Sequence, residues 1–171
     1  MGFTLVLGGA RSGKSDYAVH LAVQSQRPVT FIATATAGDA EMAERIEHHR
    51  AARPPTWTTV EAPLDLATAL TAAPMDHFVV VDCLTLWLSN LFGAEVGAAD
   101  CLRLSDQATA LLAGRSGVVV SNEVGLGIVP DNELARSYRD LLGSINRRFA
   151  QRADRAVLMV AGRALELRPA T

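Results

Sequence analysis

Gly8-Gly9-Ala10-Arg11-Ser12-Gly13-Lys14-Ser15 matches in full the phosphate-loop pattern G-x-x-x-x-G-K-[ST]. In such a loop the glycines let backbone N–H groups close around phosphate oxygens. The lysine ammonium serves the β- and γ-phosphates of a nucleotide, and the last hydroxyl serves Mg²⁺. Lys14 is also the only lysine in 171 residues, in a chain whose other strong bases are all arginine. A compact, flexible ammonium is thus kept for the one position where a phosphate cluster needs a point charge.

The flanks give the motif its setting. Phe3 to Leu7 is a short apolar run that reads as a buried strand, and Tyr17, Ala18, Leu21 and Ala22 recur at helical spacing after Lys14. Strand, glycine loop and helix N-terminus form the arrangement in which unpaired N–H groups and the helix dipole favour an anion.

Working outward, strands and helices alternate. Val29 to Ala33 reads as a second strand, Asp39 to Arg53 as a helix that Pro54-Pro55 must end, and Trp57 to Val60 as a brief third strand. Leu64 to Leu70 looks helical, Phe78 to Asp82 is an apolar strand ending in a carboxylate, and helical patterns fill most of Leu84 to Leu112. Gly117 to Ser121 is another buried strand, Asn132 to Ala153 a long helix, and Ala156 to Val160 a late strand. Ala164 to Leu167 alternates and suits an edge strand. Near-continuous apolar strands separated by helices require a mostly parallel sheet covered on both faces. The expected class is therefore α/β, a nucleoside-triphosphatase sheet of the phosphate-loop type, in a single catalytic domain over residues 1–171.

Composition narrows the partners. A formal net charge of −2 and scattered arginines give no general attraction to nucleic acid or anionic membrane. No signal-type stretch and no apolar run of spanning length occurs, so a cytoplasmic location is expected. Cys83 and Cys101 lack metal or redox spacing and read as small buried hydrophobes.

Several residues have the type and place for chemistry. Asp82, at the end of an apolar strand, stands where a phosphate-loop protein puts the acid that holds Mg²⁺; otherwise it is a strand-end cap. On the helix around Glu41 to Arg50, Met42, Ile46 and His49 share one stripe, whereas His48 lies about a third of a turn away among Glu41, Glu44 and Arg45. His49 thus has the address of a packing residue and His48 that of an exposed one. Asn122 to Pro130, following a buried strand, suits a ligand crevice at the sheet's carboxyl edge. Glu61, just after the third strand, is placed to accept hydrogen bonds from a ribose or base, or is an ordinary surface carboxylate. No N-K-x-D guanine-reading motif and no L-S-G-G-Q transporter motif is present, which leaves small-molecule kinases and nucleotidyltransferases.

Taken together, GGARSGKS, FIATA, EMAERIEHHRAARPPTW, VVVDCLTLWLSNL and SNEVGLGIVPDNELARSYRDLLGSINRRFAQRAD resemble the bifunctional adenosylcobinamide kinase / adenosylcobinamide-phosphate guanylyltransferases of cobalamin biosynthesis, almost end to end. The resemblance implies phosphorylation of the aminopropanol hydroxyl of adenosylcobinamide by ATP or GTP. Transfer of GMP from GTP to the new phosphate then follows through a GMP-histidine. By position His48 resembles the guanylylated residue, and Lys14 the catalytic lysine. The resemblance further implies nucleotide contacts from Gly8 through Ser15 and from Ala33, Thr34, His49, Arg50, Glu61 and Asp82, with Mg²⁺ on Ser15 and Asp82. It implies a homo-oligomer, a trimer, with the histidine helix reaching toward a neighbour's site. The readings that compete with it are a plain small-molecule kinase and a non-catalytic nucleotide-binding regulator.

Overall fold

The computed structural model describes residues 2–51 and 53–169, the side chains of Arg45 and His49 excepted. In chain order the elements are β1 (Phe3–Gly8), α1 (Lys14–Gln24), β2 (Val29–Ala33), α2 (Ala40–Ala51), β3 (Thr58–Glu61), α3 (Leu66–Ala72), β4 (Phe78–Asp82), α4 (Leu84–Gly93), α5 (Ala98–Leu112), β5 (Gly117–Val120), α6 (Glu133–Arg152), β6 (Arg155–Val160) and β7 (Arg163–Leu167). The helical stretch expected from Leu84 to Leu112 is two helices, because the chain turns after Gly93 through Glu95, which takes a left-handed φ of 57°. The other expected elements stand within a few residues of their sequence positions.

The seven strands form one sheet in the order β3-β2-β4-β5-β1-β6-β7, with every pairing parallel except β6 with β7. Alternation along the strands divides the core into two layers. Phe3, Leu5, Val79, Val81 and Val119 face one side, where they meet Leu70 of α3, Trp87 and Leu88 of α4, Leu112 of α5 and Leu142, Ile145 and Phe149 of α6. Val6, Val80, Val118, Val120 and Val157 face the other, against Ala18 and Ala22 of α1. The crossovers explain this division. The connections β3→β4, β4→β5 and β5→β6 step along the sheet in one direction and share the first face, while β1→β2 steps the opposite way and its helix covers the second, as right-handed crossovers require. The antiparallel β7 extends the sheet by a tight turn in which Ala161 and Gly162 both have positive φ, 50° and 76°.

The same order brings the carboxyl ends of β1, β5, β4 and β2 together in the middle of the sheet, and that edge carries the phosphate loop.

Candidate nucleotide site

The phosphate loop joins β1 to the first turn of α1, and its glycines are required by space as well as by dihedral angle. A Cβ on Gly8 would stand 2.6 Å from both the Met159 carbonyl oxygen and Ser12 Oγ. Gly13 adopts φ 91° as the residue preceding α1, a left-handed conformation costly for any side chain. The turn between β6 and β7 buttresses the loop, with Gly162 N–H donating to the Ser12 carbonyl at 3.0 Å. Gly9, Ala10 and Arg11 stay exposed along the rim. Lys14 is buried, and its Nζ donates to the Gly9 carbonyl at 2.6 Å, so the ammonium is folded across the loop. Ser12 Oγ is buried inside the loop and finds no hydrogen-bond partner among the described residues. An orphaned buried hydroxyl is costly, and its position in an anion-binding loop is one a phosphate oxygen satisfies.

Ser15, in the first turn of α1, donates from Oγ to Asp82 Oδ2 at the end of β4, at 3.4 Å. Both groups are hard oxygen donors. Among the described residues no cluster of three or more His, Cys, Asp and Glu could cage a metal ion. One hydroxyl and one carboxylate beside a phosphate site nonetheless suit Mg²⁺, which keeps several waters and shares its shell with substrate phosphates.

Ala33 ends β2, in register with Asp82 on one side and Glu61 on the other. Thr34, fully buried, braces the Asp82–Cys83 corner: its hydroxyl donates to the Cys83 carbonyl at 2.7 Å and accepts from Cys83 N–H at 2.8 Å, while Asp82 O receives Thr34 N–H at 3.1 Å. Asn90 of α4 caps the corner, donating to the Thr34 carbonyl at 2.7 Å. Thr34 thus faces the protein through its side chain and holds the Asp82 corner in place. Burial, with the Asp82 charge beside it, pushes the Cys83 thiol up to about 11, so it stays neutral.

Among the described side chains of α2, Met42, Ala43 and Ile46 are half-buried and the others exposed. Asp39 caps its start, accepting from Met42 N–H at 2.8 Å. Arg50 ties its last turn to the end of β3 through Glu61 Oε1 at 2.9 Å, and pairs with Glu47 at 3.1 Å. His48 is exposed, as the helical spacing predicts. The side chain of His49 lies outside the described residues.

The segment Asn122 to Pro130 is fastened to the loop by its backbone. Glu123 N–H donates to the Gly8 carbonyl at 3.1 Å, and Asn122 N–H to Thr85 Oγ1 at 2.8 Å. The Glu123 carboxylate serves the turn itself, accepting from Gly125 N–H at 2.7 Å. Beyond that, Leu126 is 81% and Ile128 97% exposed. Sequence spacing missed the braces beneath: Asn146 of α6 accepts from Ser121 Oγ at 2.7 Å and donates to the Asn122 carbonyl at 3.0 Å, and Tyr138 OH donates to the Thr85 carbonyl at 2.7 Å. A lone polar residue on a buried helix stripe, such as Asn146, was the available signal. Spacing also gave Arg53 no role beyond ending α2.

The chain resembles known proteins along most of its length. The model of the family described as cobinamide kinase / cobinamide phosphate guanyltransferase matches residues 4–167. The bifunctional adenosylcobalamin biosynthesis protein CobP of Pseudomonas aeruginosa is 47% identical, with 96% of each chain covered. CobU of Salmonella typhimurium, also named a bifunctional adenosylcobalamin biosynthesis protein, is 41% identical over 92% of this chain and 95% of its own. The crystal structure of the RadB recombinase aligns with a TM-score of 0.51 at 15% identity, covering 92% of this chain and 73% of that one, a likeness of fold.

Proposed function

The chain belongs to the cobinamide kinase / cobinamide phosphate guanyltransferase family, and we propose on that premise that its phosphate loop and His48 carry out two successive transfers on one corrinoid. In the first, the aminopropanol hydroxyl of adenosylcobinamide attacks the γ-phosphorus of ATP or GTP, loses its proton, and releases the nucleoside diphosphate. In the second, a neutral imidazole nitrogen of His48 attacks the α-phosphorus of GTP. Pyrophosphate leaves and a phosphoramidate remains. A phosphate oxygen of adenosylcobinamide phosphate then displaces the imidazole, giving adenosylcobinamide-GDP and restoring His48. One difficult substitution becomes two easier ones.

Lys14 and the loop amides hold the triphosphate in both reactions, offsetting charge that develops on the leaving phosphates. Ser15 and Asp82 would hold Mg²⁺, which supplies further charge neutralisation on the phosphate oxygens when bound. Glu61, Arg50 and Ala33 line the approach to the nucleoside. In this reading the working unit is a homotrimer, with α2 presented toward a neighbour.

The observation that carries the proposal is the exposure of His48 on a helix whose last turn is tied to the edge of the nucleotide site. The test is incubation with GTP labelled in the α-phosphate. A protein-bound GMP that is acid-labile and base-stable is expected, lost in His48→Ala while kinase activity persists, and both activities are lost in Lys14→Ala. Absence of the adduct from the parent protein would leave a plain kinase or a nucleotide-binding regulator. Its loss in His49→Ala but not in His48→Ala would overturn the assignment of the nucleophile to His48.

A further inference from the structure

α2 carries the reactive histidine of the function proposed above, on which this inference rests, and Arg50 ties its last turn to Glu61 at the end of β3. A second fastening lies just past its C-terminal end. The guanidinium carbon of Arg53 stands 3.6 Å from the centroid of the Phe31 ring, and Phe31 in turn stacks with Trp57, centroids 6.3 Å apart and planes inclined by 23°. Phe31 is a buried β2 residue, two positions before Ala33. Arg53 N–H donates to the Arg50 carbonyl at 3.2 Å, continuing the helical turn, and Trp57 N–H donates to the Pro54 carbonyl at 3.1 Å, closing the turn behind it. The two prolines between them stiffen this exit from the helix.

The charge at this position has a second correspondent. Burial lowers the pKa of the Arg53 guanidinium, the Asp82 carboxylate opposes that effect, and Arg50 adds to it. The head of Arg53 lies over the Phe31 ring of β2. A guanidinium stacked on an aromatic face and partly withdrawn from water gains more than an exposed ion pair such as Arg50–Glu61.

We propose that Arg53 is a positioning residue for guanylylation: stacked on Phe31, it sets the angle at which α2 presents His48 to the nucleotide. It acts through the helix rather than on the reacting atoms. Removing it loosens the His48 helix and leaves the phosphate loop, on the far side of β2, intact.

Two measurements on Arg53→Met and Arg53→Lys test this. The first is amide hydrogen exchange on the nucleotide-free protein. Faster exchange is expected across 40–51 in Arg53→Met, with the peptides of β1, β4 and β5 unchanged; unchanged exchange in α2 overturns the proposal whatever the activity. The second compares single-turnover GMP-enzyme formation with the kinase rate. Adduct formation should fall by roughly 10-fold or more in Arg53→Met while the kinase rate changes less than about threefold, the scale on which misplacing a reacting group acts. Arg53→Lys should recover part of the loss, since an ammonium keeps the charge without the planar stack. Equal losses in the two reactions, or an adduct rate equal to the parent's, would refute a positioning role. A parent protein that forms no adduct refutes the functional reading, and the exchange experiment still decides whether Arg53 fixes α2.

Discussion

Ser15 Oγ and Asp82 Oδ2 face each other at 3.4 Å, one from the first turn of α1 and the other from the end of β4, 67 residues later in the chain. The separation is at the long limit of a hydrogen bond, so the pair is joined weakly and can be parted at small cost. In the function proposed above, these two hard oxygen donors at the mouth of the phosphate loop are the protein's share of a Mg²⁺ shell.

Replacing Asp82 by Asn keeps the shape and removes the charge. The Mg²⁺ concentration giving half-maximal rate should rise at least about 10-fold in both half-reactions, as expected when a charged ligand of a hard cation is lost. A Mg²⁺ titration of each reaction reads this directly. An unchanged midpoint would move the metal role away from Asp82.

Thr34 gives a stability prediction at the same corner. Thr34→Val preserves volume but leaves the Cys83 N–H and carbonyl without the hydroxyl that each now meets within 2.8 Å. Unsatisfied buried groups cost about 1–3 kcal/mol, which for a chain of this size lowers Tm by roughly 3–10 °C. Calorimetry on the variant checks it, and an undisturbed Tm would mean the corner is held by Asn90 and the backbone alone.

Cys83 links the corner to pH. Its thiol is raised from 9.0 to about 11, chiefly by burial and then by Asp82. A group harder to ionise in the folded state than in the unfolded chain contributes its stability in full below the unfolded value and loses it as pH climbs through the folded one. Urea midpoints should therefore decline between about pH 9 and pH 11 more steeply in the parent than in Cys83→Ala. At pH 8 the native thiols should resist alkylation, since Cys83 and Cys101 are both buried; rapid labelling of the folded protein would contradict this.

The exposed apolar stretch after β5 bears on assembly. Ile128 at 97% and Leu126 at 81% exposure lie on a segment bonded to the phosphate loop. With the homotrimer proposed above, contact with a neighbouring subunit covers them, and Leu126→Ser with Ile128→Ser should shift sedimentation toward a single chain of 18.2 kDa. A trimer of unaltered stability in that double variant would place the subunit contact elsewhere.

What the sequence by itself determined follows from short-range rules. The phosphate loop is legible because its glycines, lysine and serine are contiguous and each meets a local steric or electrostatic demand. Val29–Ala33 and Phe78–Asp82 are legible as strands because burial on both faces imposes uninterrupted apolar runs. The exposure of His48 follows from helical spacing, and the role proposed for it from resemblance to a family. Tertiary structure decided what depends on pairing between distant segments. Strand order brings Asp82 to Ser15, register sets Ala33 between Asp82 and Glu61, and the hairpin at Gly162 closes over Ser12. Thr34, Asn146 and Arg53 took their parts there too. A hydroxyl, an amide or a guanidinium has no fixed meaning along the chain, and its partner is chosen by which backbone groups or rings the fold leaves within reach.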